Sequence, residues 1–137
     1  MNDPEVVRFL RAARQRAVAA NVLLRDSQFR DATYLGGYVI ECSLKSLILS
    51  RVPPRQRETF VTERFHGRRA HDFTLLVELF ILQGQSIPSE ILRTLSRAAS
   101  IWSVDLRYTP GRGRADEAAA LLAAGQLVMK WVEERIR

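Results

Sequence analysis

Residues 34–49, from Tyr34 to Leu49, form the longest apolar run in the chain, and only Glu41 and Lys45 interrupt it with charge. The apolar positions do not alternate as in a strand. They cover most of a helical wheel, the pattern of a helix buried nearly all round. Gly36 and Gly37 each weaken a helix interior by about 1 kcal/mol relative to Ala, so they point to a close approach of backbones. Glu41 and Lys45 stand at i,i+4 with the acid first, the favourable order for a pair on one face. The other elements follow from the same periodicity. A first helix spans 4–25, capped by Asn2 or Asp3 with Pro4 in its first turn. Its apolar stripe includes Val6, Phe9, Leu10, Ala13 and Ala17, and arginines crowd the opposite face. Asp26-Ser27 offers a turn and a new cap, and the central helix spans 28–50. Val52-Pro53-Pro54 ends it. Residues 55–70 read as an irregular basic connection with a helical turn at 55–62. A third helix starts at His71-Asp72 and stops at Gly84. A fourth, with Ser86 as cap, runs to about Leu106. After the break Tyr108–Gly113 a last helix spans 115–136.

No segment alternates as a strand does. The fold class is therefore all-α: an antiparallel bundle of four long helices with room for a short fifth, in one domain over 1–137. Phe9 and Trp131 either extend the core or form a patch for a second subunit.

Composition narrows the setting. With 137 residues the chain can bury a core without staples. Its single cysteine, Cys42, lies inside the apolar run and reads as a small core residue. That fits a reducing, cytoplasmic location. No apolar leader follows Met1, and the central run is too short and too charged to span a bilayer, so no membrane role is expected. The formal charge is +6, carried by 21 basic residues of which only Lys45 and Lys130 are lysine. Arginine suits phosphate. An arginine-rich composition also arises from genomic base content, so charge alone does not identify nucleic acid as partner.

Three groups of residues carry candidate chemistry. Glu41 and Lys45 either line a nucleotide or phosphate pocket or form a satisfied ion pair at the edge of the bundle. Asp105, Arg107 and Tyr108 cluster where the fourth helix ends. There Arg107 is suited to phosphate and Tyr108 to stacking on a base, or Arg107 pairs with Glu41 or Asp105 and Tyr108 closes the core. His71 is placed for proton transfer or to hold the basic connection, and Asp72 to begin a helix. His66 lies nearby, but further ligands at metal-binding spacing are missing, so neither a zinc site nor a cofactor is expected.

Several stretches together resemble one family. Phe29-x2-Ala32-x-Tyr34-Leu35-x-Gly37-Tyr38-x2-Glu41-Cys42-x-Leu44-Lys45 is similar to the second helix of HEPN domains (higher eukaryotes and prokaryotes nucleotide-binding). His71-Asp72-Phe73-x2-Leu76, and Trp102-x4-Arg107-Tyr108 before a Pro/Gly break, are similar to later parts of that family. The resemblance covers roughly 5–135. It implies a helical bundle that dimerises through helix faces and works near nucleotides or RNA. Some members are metal-independent ribonucleases; others are non-catalytic partners of nucleotidyltransferases in toxin–antitoxin or defence systems. The ribonucleases carry Arg-x4–6-His late in the chain, pairing proton transfer with charge stabilisation. Here no His follows Arg97, Arg107, Arg112 or Arg114. The one formal match is Arg64-x6-His71, a spacing that 19 arginines meet easily by chance. The resemblance therefore implies a non-catalytic homodimer, with a ribonuclease using Arg64 and His71 as the alternative.

Overall fold

The 22-residue helix α2, Phe29–Ser50, runs through the centre of the molecule. The computed structural model describes residues 4–136, Arg68 through its backbone. In α2 every residue from Val39 to Leu49 is buried. Around it stand α1 (Pro4–Arg25), α3 (Arg57–Arg64), α4 (Phe73–Leu82), α5 (Ser89–Ile101) and α6 (Ala115–Ile136). Single 3-10 turns occupy Pro54–Gln56, Arg68–His71 and Val104–Tyr108. No strand occurs among the described residues. Among them, too, no helix is long and apolar enough to cross a membrane. The expected caps Asn2 and Asp3 lie outside the described residues.

The bundle differs from the expected four long antiparallel helices. Three helices are long, each of 22 residues, while α4 has 10 and α5 has 13. Helices joined by short links are antiparallel: α1 folds back on α2, so that Ser46 Oγ donates to the Val6 carbonyl at 2.9 Å. However, α2 and α6 run in the same direction. The Arg30 amide donates to the Arg112 carbonyl near both N-termini, and farther along Gly125 lies against Val39. The chain reverses by way of residues 51–72, which return along α2 from its C-terminus to its middle.

That return is more regular than the expected basic loop, because it has a function at each end. The last carbonyls of α2 lack intrahelical donors. Arg57 is buried beneath this end: its Nη2 donates to the Ser50 carbonyl at 3.3 Å, and its Nε to the carbonyls of Leu49 at 2.9 Å, which the Val52 amide also reaches, and of Val52 just past the helix at 2.8 Å. A cation at a helix C-terminus also suits the dipole. The arginine thereby anchors α3, whose Phe60 packs on Phe65. Phe65 in turn meets Phe9 of α1.

Other local expectations change for physical reasons. α5 stops at Ile101, and Trp102 is extended, because its indole is committed to the core. Ser86 does not cap α5, where Pro88 occupies the cap position. Likewise Gln28, not Asp26 or Ser27, precedes α2, and its side chain makes no cap bond. Phe9 and Trp131 both extend the core; Trp131 meets Phe80 edge-on with centroids 6.1 Å apart.

Candidate functional site

The two adjacent glycines of α2 admit different neighbours: Gly36 faces α6, where a Cβ on Gly125 would lie 3.5 Å from the Gly36 carbonyl oxygen, whereas Gly37 admits a side chain. The Trp102 indole fills the notch at Gly37, and a Cβ there would collide with Nε1, Cε2 and Cδ1. Trp102 Nε1 donates to the Tyr34 carbonyl at 2.9 Å, its ring stacks on Phe73 with centroids 5.0 Å apart, and Tyr38 meets it edge-on. This aromatic wedge fixes where the chain leaves α5. It therefore fixes the turn that follows, Val104–Tyr108.

Beside the wedge lies a polar relay built from α2 and the turn before α4. Lys45 Nζ donates to Glu41 Oε2 at 3.0 Å, and His71 Nδ1 lies 2.7 Å from Glu41 Oε1. The Glu41 and Lys45 side chains are 4% and 6% exposed, whereas His71 is 30% exposed. So the relay leads from the core to the surface and ends at an imidazole. Phe65 covers the ammonium of Lys45 at 5.2 Å, and Phe9 stands beyond it at 6.0 Å. A buried ion pair needs such complete pairing to offset desolvation. His71 is held from the other side as well. Asp72 caps α4, with Oδ1 accepting from the amides of Thr74 at 2.8 Å and Leu75 at 3.3 Å.

Two cavities flank the exposed part of His71. One, of about 330 Å³, is bounded by Asp72, Thr74, Trp102 and Ser103. The other, of about 450 Å³, is bounded by Gly67, Arg107 and Tyr108. His71, Val104 and Asp105 are common to both, so they form the partition of one open cleft. Tyr108 is 74% exposed, and the Arg107 guanidinium rests 4.9 Å from its ring centre.

The residues singled out from sequence thus fall into three places. His71, Asp105, Arg107 and Tyr108 meet at the cleft. Glu41 and Lys45 pair as their spacing predicts, but beneath the cleft: Glu41 reaches it only through His71, and Lys45 has no open face. Both oxygens of Glu41 are occupied by Lys45 and His71, so Arg107 does not pair with it. Arg64 lines a different cavity, with His66 and Arg69 against Leu75 and Leu79. His71 does not line that cavity, so Arg64 and His71 line separate ones. Trp102, Ser103 and Gly67 were not read as site residues. The Trp102-x4-Arg107-Tyr108 pattern and the break at Tyr108–Gly113 were the signals in this part of the sequence.

Electrostatics separate packing groups from cleft groups. Burial pushes the Cys42 thiol up to about 11, with the Glu41 carboxylate adding to the effect. A thiol so held is no nucleophile near neutral pH. Burial also raises the Tyr38 hydroxyl, reinforced by its hydrogen bond with Tyr34, 3.2 Å away. Among the described residues no group of three or more His, Cys, Asp or Glu side chains could hold a metal ion.

No family model, no curated protein and no solved structure matches the chain.

Proposed function

We propose that the chain is a non-catalytic module of HEPN type that holds a nucleotide, free or as part of RNA, in the cleft over His71. The observation that carries this reading is the gathering of His71, Asp105, Arg107 and Tyr108 around one open cavity. Their chemistries match different parts of a nucleotide. Arg107 is a planar donor for phosphate. Asp105 accepts from a ribose hydroxyl or a base amine. Exposed Tyr108 offers a ring face for stacking. A cavity of about 450 Å³ falls within the size range of small-ligand sites. A cleft bearing both signs of charge suits a nucleotide better than a bare polyanion surface does.

The resemblance supplies the setting: a homodimer, working with a nucleotidyltransferase-type protein in a toxin–antitoxin or defence-type system. Val18 and Val22 on α1 and Leu82 on α4 leave apolar surface that a second subunit would cover. The non-catalytic form is favoured because Arg64 lines another cavity than His71 does and no His follows the late arginines.

One observation favours the second reading, a metal-independent ribonuclease with a non-standard Arg/His/Tyr site. His71 backed by a carboxylate has the arrangement of a general base. Incubation with labelled RNA in chelator separates the two. Binding of AMP or RNA without cleavage supports the module. Cleavage that disappears in His71→Gln and Arg107→Ala supports the ribonuclease. Neither binding nor cleavage, at low salt, would refute both.

A further inference from the structure

We infer that Glu41 is a positioning residue that fixes the tautomer of His71, so that the cleft is gated by one proton at His71 Nε2. This rests on the nucleotide reading for the ligand, but not for the tautomer.

The argument starts from donor and acceptor roles. Lys45 has only protons to offer, and it gives one to Glu41 Oε2 at 3.0 Å. The paired carboxylate is acceptor-only, so its other oxygen, Oε1, must also accept. Its partner there is His71 Nδ1, 2.7 Å away. Nδ1 therefore carries its proton whether the ring is neutral or charged. A neutral histidine holds one ring proton, which leaves Nε2 bare. In water the other tautomer predominates, with the proton on Nε2. The fold thus reverses the intrinsic preference, and it uses a carboxylate 30 residues away to do so.

The consequence is at the cleft. Neutral His71 offers an acceptor and opposes phosphate; protonated His71 offers a charged donor and attracts it. Several charged groups surround it. Glu41 and Lys45 on α2 are paired with each other, Tyr38 on α2 has its hydroxyl raised by burial, and Arg107 lines the cleft. Asp72 is tied to the amides of α4, and Asp105 of the 104–108 turn lines the same cleft. One charge-assisted hydrogen bond is worth about tenfold in affinity or more. The cleft should therefore hold a nucleotide phosphate about tenfold tighter on the acid side of the imidazole titration than on the alkaline side.

The tautomer is read directly by long-range 15N–1H NMR. The chain has two histidines, and His66→Gln leaves only the signal of His71. On the alkaline side the proton is expected on Nδ1. In Glu41→Leu/Lys45→Met, which removes the acceptor together with its counter-ion, it should move to Nε2. A proton on Nε2 in the parent protein would overturn the inference, and so would an unchanged tautomer in the folded double variant. AMP is the probe for the gate. Binding about tenfold tighter at acid pH, with the dependence lost in His71→Gln, supports gating; equal binding on both sides overturns it. No binding of AMP at either pH would sink the nucleotide reading and the gate with it. The tautomer would still decide the role of Glu41.

Discussion

Replacing Gly37 with Ala places a methyl group where the Trp102 indole already is. The new Cβ would approach three indole atoms more closely than 3.0 Å. The indole has nowhere to yield: it is 5% exposed, stacked on Phe73, met by Tyr38 and bonded to the Tyr34 carbonyl. Evicting such a side chain costs about 3–5 kcal/mol, by analogy with large-to-small core changes. The lost hydrogen bond adds about 1 kcal/mol. Against this, Ala in place of Gly stabilises a helix by about 1 kcal/mol. The net loss of about 3–5 kcal/mol is a large part of the about 5–15 kcal/mol that holds a domain together. Urea unfolding followed by far-UV circular dichroism would measure it, and thermal unfolding should show a fall in Tm of roughly 10–17 °C. Because Trp102 leads into the 104–108 turn, nucleotide binding should weaken too. Gly36→Ala is the control: its Cβ meets only the flexible end of Leu122, at 3.0 Å, and Leu121 beyond. That variant should stay within about 1 kcal/mol of the parent. Equal stability of Gly37→Ala and the parent would refute the wedge.

Three further outcomes follow from buried groups. Lys45→Met leaves Glu41 buried with His71 as its only partner, and should cost about 3–5 kcal/mol. Pairing it with Glu41→Leu should recover most of that loss in urea midpoint. Arg57→Met takes the side-chain donor from the carbonyls of Leu49, which keeps the Val52 amide, and of Val52; it should cost about 1–3 kcal/mol, seen as earlier hydrogen exchange at the end of α2. Cys42 sets a pH effect. Its folded value lies above its ordinary 9.0, at about 11, so its contribution is complete below the former. That contribution, on the order of 2 kcal/mol, is lost as pH rises through the latter. Unfolding midpoints measured across that interval, with Cys42→Ala lacking the step, would check it.

Much of the architecture was legible in local pattern. The bounds of α1 and α6, and the buried character of α2, follow from apolar spacing because each helix is long enough to average over single exceptions. The Glu41–Lys45 pair was legible because i,i+4 geometry is local. What escaped depends on distant parts of the chain. Trp102 ends α5 early because its indole finds the Gly37 notch, 65 positions back. Arg57 looked like one more surface arginine, yet it is buried as the donor that finishes α2. Residues 57–64 read as no more than a helical turn at 55–62 within a basic connection because their composition is polar, and their full helix is held by that one anchor and by Phe60 and Phe65. For the candidate site, Asp105, Arg107 and Tyr108 were visible as a cluster in sequence. Their meeting with His71 was not, nor was the parting of Arg64 from it, since both depend on how residues 51–72 return along α2.

The central claim is that the cleft over His71 holds a nucleotide. Titration of AMP into the 15N-labelled protein, read as amide shift changes, tests it most directly. The account predicts saturable changes at Gly67, His71 and residues 104–108, weakened about tenfold or more in Arg107→Ala. Changes confined to Arg64, His66 and Arg69, or no changes at any position, would contradict it.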